Sequence, residues 1–391
     1  MADGADRAAL TARPIGAIAD IPAAEWDALA NPSGAPENPF VSHAFLNALE
    51  KSKSAAPETG WTPAHLALEK AGRIVGAAPV YVKSHSFGEY VFDHHWAEAF
   101  ERAGGKYYPK TLCAAPFTPV PGPRLLAPCA EYKTALGAAL IDLTEKIGAS
   151  SVHVNFIDEE TATLLQSRGY LTRSGVQYHW FNRGYKSYDD FLAALASRKR
   201  KTLKRERKEA ANGLTIRRLT GADIDERVWD AFWMFYQDTG GRKWGRPYLT
   251  RAFFARIAET MRARLMMVVA EANGRLIAGA LNFIGGDALY GRYWGRVEDR
   301  PFLHFEVCYH QAIEFAIEHG LARVEAGAQG KHKIARGYEP VVTRSAHWIA
   351  NPGLRTAVAR ALEAERRGVA AEIAAIGEMT PFRRLEEPET H

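Results

Sequence analysis

The sequence predicts an α/β (α+β) protein in which one folding unit is used twice. Three observations carry this. The chain has 391 residues, of which 47% are hydrophobic and 24% charged, which is globular composition and long enough for two domains at roughly 150 residues each. The order of periodic segments runs two helices, a set of antiparallel strands, a helix and a strand, and then repeats. Between the repeats lies "SRKRKTLKRERKEAANG", where eight of the eleven residues from Arg198 to Lys208 are basic and only Glu206 is acidic. The expected organisation is a first unit at residues 10–182, a basic connecting helix at 183–213 and a second unit at 214–391.

The first unit opens with "IPAAEWDALA" and "VSHAFLNALEKS", both read as helices. Ser42 caps the second, and Phe45, Leu46 and Leu49 share one face. "HLALEKAGRIVGAAPVYVKS" reads as two strands around a turn at Lys70–Gly72. "HWAEAFERAGG" is helical and stops on glycine. "TLCAAPFTPVPGPRLL" is strand-like before its prolines, "EYKTALGAALIDLTEKIG" is a helix and "SVHVNFI" a strand. A short helix and "GYLTRSGVQYHWFN" close the half. "SYDDFLAALASRKRKTLKRERKEAANG" reads as one long helix, with Ser187 as N-cap, Asp189 and Asp190 in the first turn, and Asn212–Gly213 as the stop.

The second unit begins with the strand "LTIRRL" and the helices "RVWDAFWMFYQDTG" and "YLTRAFFARIAETM". "LMMVVAEANGRLIAGALNFIGGDALYGRYWGR" supplies three strands with turns at Asn273–Gly274 and Gly285–Asp287. The helix "LHFEVCYHQAIEFAIEHG", the strand "ARVEAGA" and a charged helix from Ala357 follow, and the ending "RRLEEPETH" is expected to fray.

Composition narrows the function. A net charge of +5 favours anionic partners only weakly, because the basic run alone accounts for it. The three cysteines are widely spaced without CxxC, so neither a disulfide framework nor a zinc ribbon is expected. The first twenty residues lack a signal-peptide pattern, and no apolar run is long enough to span a membrane. A soluble, reduced, cytoplasmic protein is the expectation. With no GxSxG, Walker loop or dinucleotide fingerprint, the hydrolase, NTPase and dehydrogenase readings fall away.

Five stretches hold the chemical candidates. Arg198, Lys199, Arg200, Lys201, Lys204 and Arg205 form the outer face of a helix whose leucines face inward, and they suit a polyanion. The same pattern also describes a solvated connecting helix. No aromatic residue interleaves for base stacking, so a DNA reader is not expected. "VEAGAQGKHKIARGY" places Glu325 at a strand end, where it would orient or deprotonate an attacking amine, with Gln329, His332, Lys333 and Arg336 in the next loop. A cation there would stabilise an oxyanion, and a polar surface loop is the bland alternative. On the strand before the helix, Tyr290, Arg292 and Trp294 share a face. His304 and Glu306 near the helix start are candidate bases, with a capping role open for Glu306. Arg242, Lys243 and Trp244, in a loop among glycines, suit a phosphate or carboxylate plus a ring. In the first unit, His85, Glu89, Asp93, His94 and His95 read as polar cleft lining rather than a metal site, and Lys83, Lys106 and Lys110 with Tyr107 and Tyr108 could hold phosphates. No metal is expected.

The second half resembles the GNAT N-acyltransferase fold in the order of "MMVVAEANGRLIAGALNF", "ALYGRYWG", "LHFEVCYHQAIEFAIEHG" and "ARVEAGA". Two such units in one chain resemble the Fem peptidyltransferases and FemAB-like proteins. "VPGPRLL", the basic helix and "VEAGAQGKHKIARGYEP" are each similar to Fem segments. "GEYVFDHHWAEAFERAGGKYYPK" and "RYWGRVEDRPFLHFEVCYHQ" look like a FemAB-like branch of predicted N-acyltransferases. The similarity spans most of residues 20–350.

The resemblance implies tandem GNAT-like units and transfer of an aminoacyl or acyl group onto an amine of a peptidoglycan-type or other small acceptor. Lys333 then matches a Fem lysine thought to favour the oxyanion or leaving group. Aminoacyl-tRNA or acyl-CoA is the implied co-substrate, with no tightly bound cofactor. A muropeptide-like acceptor and tRNA are the implied partners, and peripheral membrane contact stays open. One departure matters: where an acetyl-CoA enzyme carries an (R/Q)xxGx(G/A) loop, this chain reads "GRVEDRPFLHFE", without the paired glycines whose amides cradle a pyrophosphate. The alternatives are an acyl-CoA-dependent GNAT enzyme and a non-catalytic protein that binds RNA or cell-envelope precursors.

Overall fold

The computed structural model describes residues 9–244, 247–327 and 330–383. In chain order the first half forms β1 (Thr11–Ile15), α1 (Ala23–Ala30), α2 (His43–Lys51), β2 (Trp61–Pro63), β3 (His65–Lys70), β4 (Arg73–Ala78), β5 (Val80–Lys83), α3 (His94–Arg102), β6 (Lys110–Cys113), α4 (Ala130–Lys146), β7 (Ser151–Ile157), α5 (Glu159–Gln166) and β8 (Leu171–Phe181). The second half forms α6 (Tyr188–Ala194), α7 (Ser197–Ala210), β9 (Thr215–Thr220), α8 (Glu226–Trp244), α9 (Arg251–Thr260), β10 (Leu265–Ala272), β11 (Arg275–Ile284) and β12 (Ala288–Arg296). A helix follows in three pieces: α10 (Leu303–Phe305), a π-turn (Glu306–His310) and α11 (Gln311–Glu318). β13 (Arg323–Glu325), β14 (Glu339–Ile349) and α12 (Pro352–Gly377) complete the chain.

Two compact units result, and they do not follow chain order. The first takes residues up to Gly175 together with Tyr248–Met261 and Val342–Ala370; the second takes Val176–Pro247, Arg262–Val341 and the residues from Ala371. Cuts at 182 and 213 therefore miss an exchange. In the first unit β5, β6 and β7 end on β14, a strand from the second half of the sequence, which pairs antiparallel with β7 through Arg344–Ile349. In the second unit β13 pairs antiparallel with the last residues of β8, from the first half.

The duplicated topology is visible in each unit separately. β5–β6 is antiparallel, β6–β7 parallel with α4 between them, and β7–β14 antiparallel. β11–β12, β12–β13 with α10–α11 between them, and β13–β8 repeat that sequence of pairings. A parallel neighbour requires a crossover, and a helix in each unit supplies it. Leu136, Leu140 and Leu143 of α4 pack with Leu66, Leu68, Val152 and Val154. Ala312, Ile313 and Ala316 of α11 pack with Met266, Val268, Leu289 and Val324.

Local sequence explains the elements well. Ser42 Oγ accepts from Phe45 N, and Ser187 and Asp190 form a reciprocal capping box. Asn273 and Gly274 both have positive φ, +50° and +76°, as the two-residue turn between β10 and β11 needs. Gly295 is required by contact: a Cβ there would lie 2.1 Å from the Phe235 carbonyl oxygen of α8.

Three expectations are corrected. The long basic helix is two helices, because Leu195 turns extended and bridges Phe382 while Ala196 N donates to Pro381 O. That break buries Leu195 fully in the core that also holds Leu192 and Leu203. α8 runs on through Gly240 and Gly241 to Trp244, so Arg242, Lys243 and Trp244 lie on a helix end rather than in a loop. β1, β2 and β14 were not expected from the sequence, and the two strands expected between His65 and Lys83 are three, β3, β4 and β5. No helix among the described residues is long and apolar enough to cross a membrane.

Candidate active site in the second unit

The site begins with two strands that part. β12 and β13 pair in parallel at Ala288–Arg323, Leu289–Val324 and Tyr290–Glu325, and pairing stops there. On its other side β12 slips register against β11: Leu281 faces Tyr293 and Asn282 faces Gly291, which leaves Arg292 as the extra residue of a bulge. A bulge bends its strand and takes a residue out of the ladder. The parting strands leave a pocket of ≈ 130 Å³ lined by Ala280, Asn282, Gly291–Trp294, Ala326 and Gly327. His304, Cys308 and Tyr309 supply the wall from the helix. The last two stand on the π-turn, a distortion that recurs at functional sites.

The pocket wall is polar at particular points. Asn282 is 1% exposed; its Nδ2 donates to Met266 O and Ala280 O, both at 3.3 Å, which sets Oδ1 toward Gly291. That oxygen has no partner among the described residues. Tyr309 OH lies 3.0 Å from His332 Nε2, and burial raises the phenol pKa. The His304 ring packs on Trp294 and Tyr309, with centroids 4.8 and 5.2 Å away. Behind the rim, Lys333 Nζ donates to Gly327 O at 2.9 Å. Burial lowers the Lys333 pKa to about 8, with Cys308 opposing the shift and Arg292 adding to it.

Glu325 is not among the lining residues. It is buried, its Oε1 accepts from Arg323 Nε at 2.9 Å, and Oε2 lies 3.7 Å from His179 Nε2. Arg323 also reaches Tyr290 OH at 3.3 Å and pairs with Asp287. Glu306 faces the other way as well: Arg207 holds both of its oxygens and Gln311 donates to it at 2.7 Å. Arg336 donates to Glu206 at 2.8 Å and to His332 O at 2.7 Å, and it lies 3.3 Å over the Phe305 ring. The pocket thus gathers Arg292, Trp294 and His304, with Lys333, His332 and Arg336 immediately behind and Tyr290, Glu325 and Glu306 in separate ion-pair clusters. Gln329 and the side chains of Arg242, Lys243 and Trp244 lie outside the described residues.

α7 is fastened by its inner face. Glu206, the only acid of the basic run, is buried against Arg336 and lies 4.0 Å from His310 Nε2. Burial would raise its pKa, but those two neighbours bring it below the usual carboxylate range. Arg207 pairs with Glu306 and Glu314 and lies 4.3 Å over the Tyr188 ring. On the outer face Lys204 pairs with Asp189 at 3.1 Å. Arg198, Lys199, Lys201 and Arg205 are exposed with no ion pair among the described residues. Ser197, Arg198, Lys201, Thr202 and Arg205 line a surface groove.

In the first unit the expectation of a phosphate site at Lys83 and Lys110 is corrected. Both lysines are fully buried and their charge is already met. Lys110 Nζ donates to Asp93 at 2.5 Å, Ser86 at 2.7 Å and Glu89 at 2.8 Å, and Tyr107 OH donates to Asp93 at 2.7 Å. Lys83 Nζ lies 3.6 Å over the Trp61 ring and 4.0 Å from Glu89. Burial pushes the Glu89 carboxyl up to about 7 and the Lys83 ammonium down to about 7. Burial would also raise Asp93, but Lys110 and His153 hold it well below the carboxylate range. Lys106 is exposed.

Asn282, Tyr293, Cys308 and Tyr309 were not singled out from the sequence. Asn282 is a lone polar residue in the strand "LIAGALNFI", and such an interruption of a buried run was the available signal.

The FemAB-like family model, described as peptidoglycan biosynthesis/recognition, matches residues 17–384. Among solved structures, FemX superposes with a TM-score of 0.53 at 15% identity, covering 87% of this chain and 98% of that one. The C-terminal domain of a putative lysylphosphatidylglycerol synthetase from Agrobacterium fabrum gives 0.50 at 10% identity over 88% and 95% of the two chains. L-PGS from Bacillus licheniformis gives 0.50 at 10% identity over 84% and 98%. These likenesses establish a shared fold. No curated protein sequence matches the chain.

Proposed function

The chain belongs to the FemAB-like family, and from that premise we propose that it is an N-acyltransferase that moves an aminoacyl or acyl group onto an amine of a peptidoglycan-type or other small acceptor. The observation that carries this reading is the pocket opened where β12 leaves β13, with a strand bulge on one wall and His304 and Tyr309 on the other. An acyl carbonyl seated there has bulged backbone on one side and the Lys333 ammonium behind the Gly327 rim. Fixed donors and a buried cation stabilise the oxyanion that forms when an amine attacks. His304, on the opposite wall, is placed to take the proton the amine loses.

The unpaired outer cations of α7 favour a donor that carries phosphates, and tRNA is the polyanion proposed. Acyl-CoA is the less favoured donor, because "GRVEDRPFLHFE" opens the helix without the glycine pair that a pyrophosphate cradle uses. The test is a transfer assay in which the protein meets a mixed aminoacyl-tRNA pool and, separately, acetyl-CoA, each with a nucleotide-linked muropeptide. New amide is sought by mass spectrometry. Amide from the tRNA arm supports the reading, amide from the CoA arm alone selects the other donor, and no amide from either defeats the acyltransferase reading for these substrates.

A further inference from the structure

The pocket holds a group that the proposed transfer has not yet used. Cys308 lines it, partly exposed, from the π-turn. His304, four residues earlier on the same helix, lines the same pocket. A thiol is a useful nucleophile when a base is within reach and cations favour the thiolate. Arg292 on the pocket wall and Lys333 behind the Gly327 rim supply the cations, and Lys333 lies within electrostatic reach of Cys308. The opposite wall carries a separate sign that a ligand belongs here. The Asn282 carboxamide oxygen, in a side chain 1% exposed, has no partner among the described residues and faces the glycine that leaves the pocket open. A buried acceptor left unmatched costs stability, so its retention beside a thiol and an imidazole points to an occupant that supplies the missing N–H.

We propose that Cys308 is a nucleophile that accepts the acyl group as a thioester, with His304 as its base, in the pocket between β12 and β13. The inference rests on the acyltransferase reading of that pocket. The Cys308 thiol gives its proton to His304, and its sulfur bonds to the acyl carbon of the donor ester. The ester C–O bond breaks, and the leaving alkoxide takes the proton back from the imidazolium. The acceptor amine then attacks the thioester carbon, loses a proton to His304 and displaces the Cys308 thiolate, which is reprotonated. The net change is one ester and one amine converted to one amide and one alcohol.

The other two cysteines are internal controls. Cys113 is fully buried, with its thiol pushed up to about 12 by burial, and Cys129 is exposed and is not one of the residues lining the pocket. The probe is p-nitrophenyl acetate. The expected result is a burst of one p-nitrophenolate per protein, with an acetyl group on the Cys308 peptide after digestion. Cys308→Ala should abolish the burst, Cys129→Ser should keep it, and His304→Gln should slow it by about 10²–10⁴-fold, the usual worth of a positioned base. Alkylation of the wild-type protein at Cys308 with iodoacetamide should block the burst as well, which guards against a misfolded variant. A burst that survives both Cys308→Ala and alkylation, or acetyl found on Cys129 or lysines instead, overturns the inference. Amide formation at the wild-type rate in Cys308→Ala removes the thioester and leaves the acyltransferase reading standing. Acylation of Cys308 that no added amine discharges leaves the nucleophile standing and removes the acyltransferase reading.

Discussion

Replacing Lys110 with methionine isolates the buried charge cluster of the first unit. The side chain keeps its length and loses three donors, two of which meet Glu89 at 2.8 Å and Asp93 at 2.5 Å. All three side chains are at most 1% exposed, so water cannot replace the missing ammonium. Exposed ion pairs contribute up to about 1 kcal/mol, whereas removing one partner of a buried pair costs about 3–5 kcal/mol, because the other charge stays buried. At about 2–4 °C per kcal/mol for a unit of this size, the melting temperature should fall by roughly 6–20 °C.

The loss should depend on pH. Asp93 has a depressed pKa in the folded protein, so its stabilising contribution is present above its ordinary value of 3.8 and is lost as pH falls through the folded value. Glu89 runs the other way: raised from 4.5 to about 7, its contribution is present below 4.5 and lost as pH rises through about 7. Without Lys110 both carboxyls protonate more readily. The gap between wild type and Lys110→Met should therefore be widest above pH 7 and narrow toward pH 4. Urea unfolding at pH 8, 6 and 4 reads this directly. A gap below about 1 kcal/mol at pH 8, or one that does not change with pH, refutes the reasoning.

Joint replacement of Arg198, Lys199, Arg200 and Lys201 by alanine should leave the melting temperature nearly unchanged. It should weaken binding of an RNA hairpin and lower the salt slope by up to about 0.7–0.9 per lost phosphate contact, as measured by fluorescence anisotropy across ionic strengths. Gly295→Ala places a methyl 2.1 Å from the Phe235 oxygen, so α8 must lift from β12. A loss of about 1–3 kcal/mol in urea unfolding is expected. Because the Lys333 pKa is lowered to about 8, its ammonium is fully present below that pH and lost above it. Turnover should fall as pH rises through about 8, and Lys333→Arg, which stays charged, should move that alkaline limb upward.

The repeated unit was legible because hydrophobic period and turn chemistry are local. Asn273–Gly274, the Ser42 cap and the Ser187–Asp190 box each mark a boundary through their own side chains. What lay hidden depends on partners distant in sequence. The break at Leu195 follows from pairing with Phe382, almost two hundred residues away. The exchange of β8 and β14 is decided by which sheet each strand joins. At the site, the cations and rings of "YGRYWG" and "GKHKIARGY" were visible by composition, but which ones meet was not. Glu325 and Glu306 looked like free bases until Arg323 and Arg207 were found holding them. Cys308 and Tyr309 read as ordinary helix residues because the π-turn that presents them shifts the helical period. Glu89 and Asp93 looked like polar lining, and Lys110 like a phosphate holder, because charge in a sequence does not say which way it points.

The central claim is that the acyl carbon reacts in the pocket between β12 and β13. Gly291 sits at its mouth, where a Cβ would lie 3.3 Å from Asn282 Oδ1 and 3.7 Å from Ala326 Cα, so Gly291→Leu fills the space. The measurement is single-turnover amide formation by wild type and Gly291→Leu, with RNA binding by α7 followed in the same samples as a fold control. The account predicts that transfer falls by about 10²-fold or more, as misplacing reacting groups by an ångström does, while RNA binding is unchanged. Transfer at the wild-type rate through the filled pocket would contradict it.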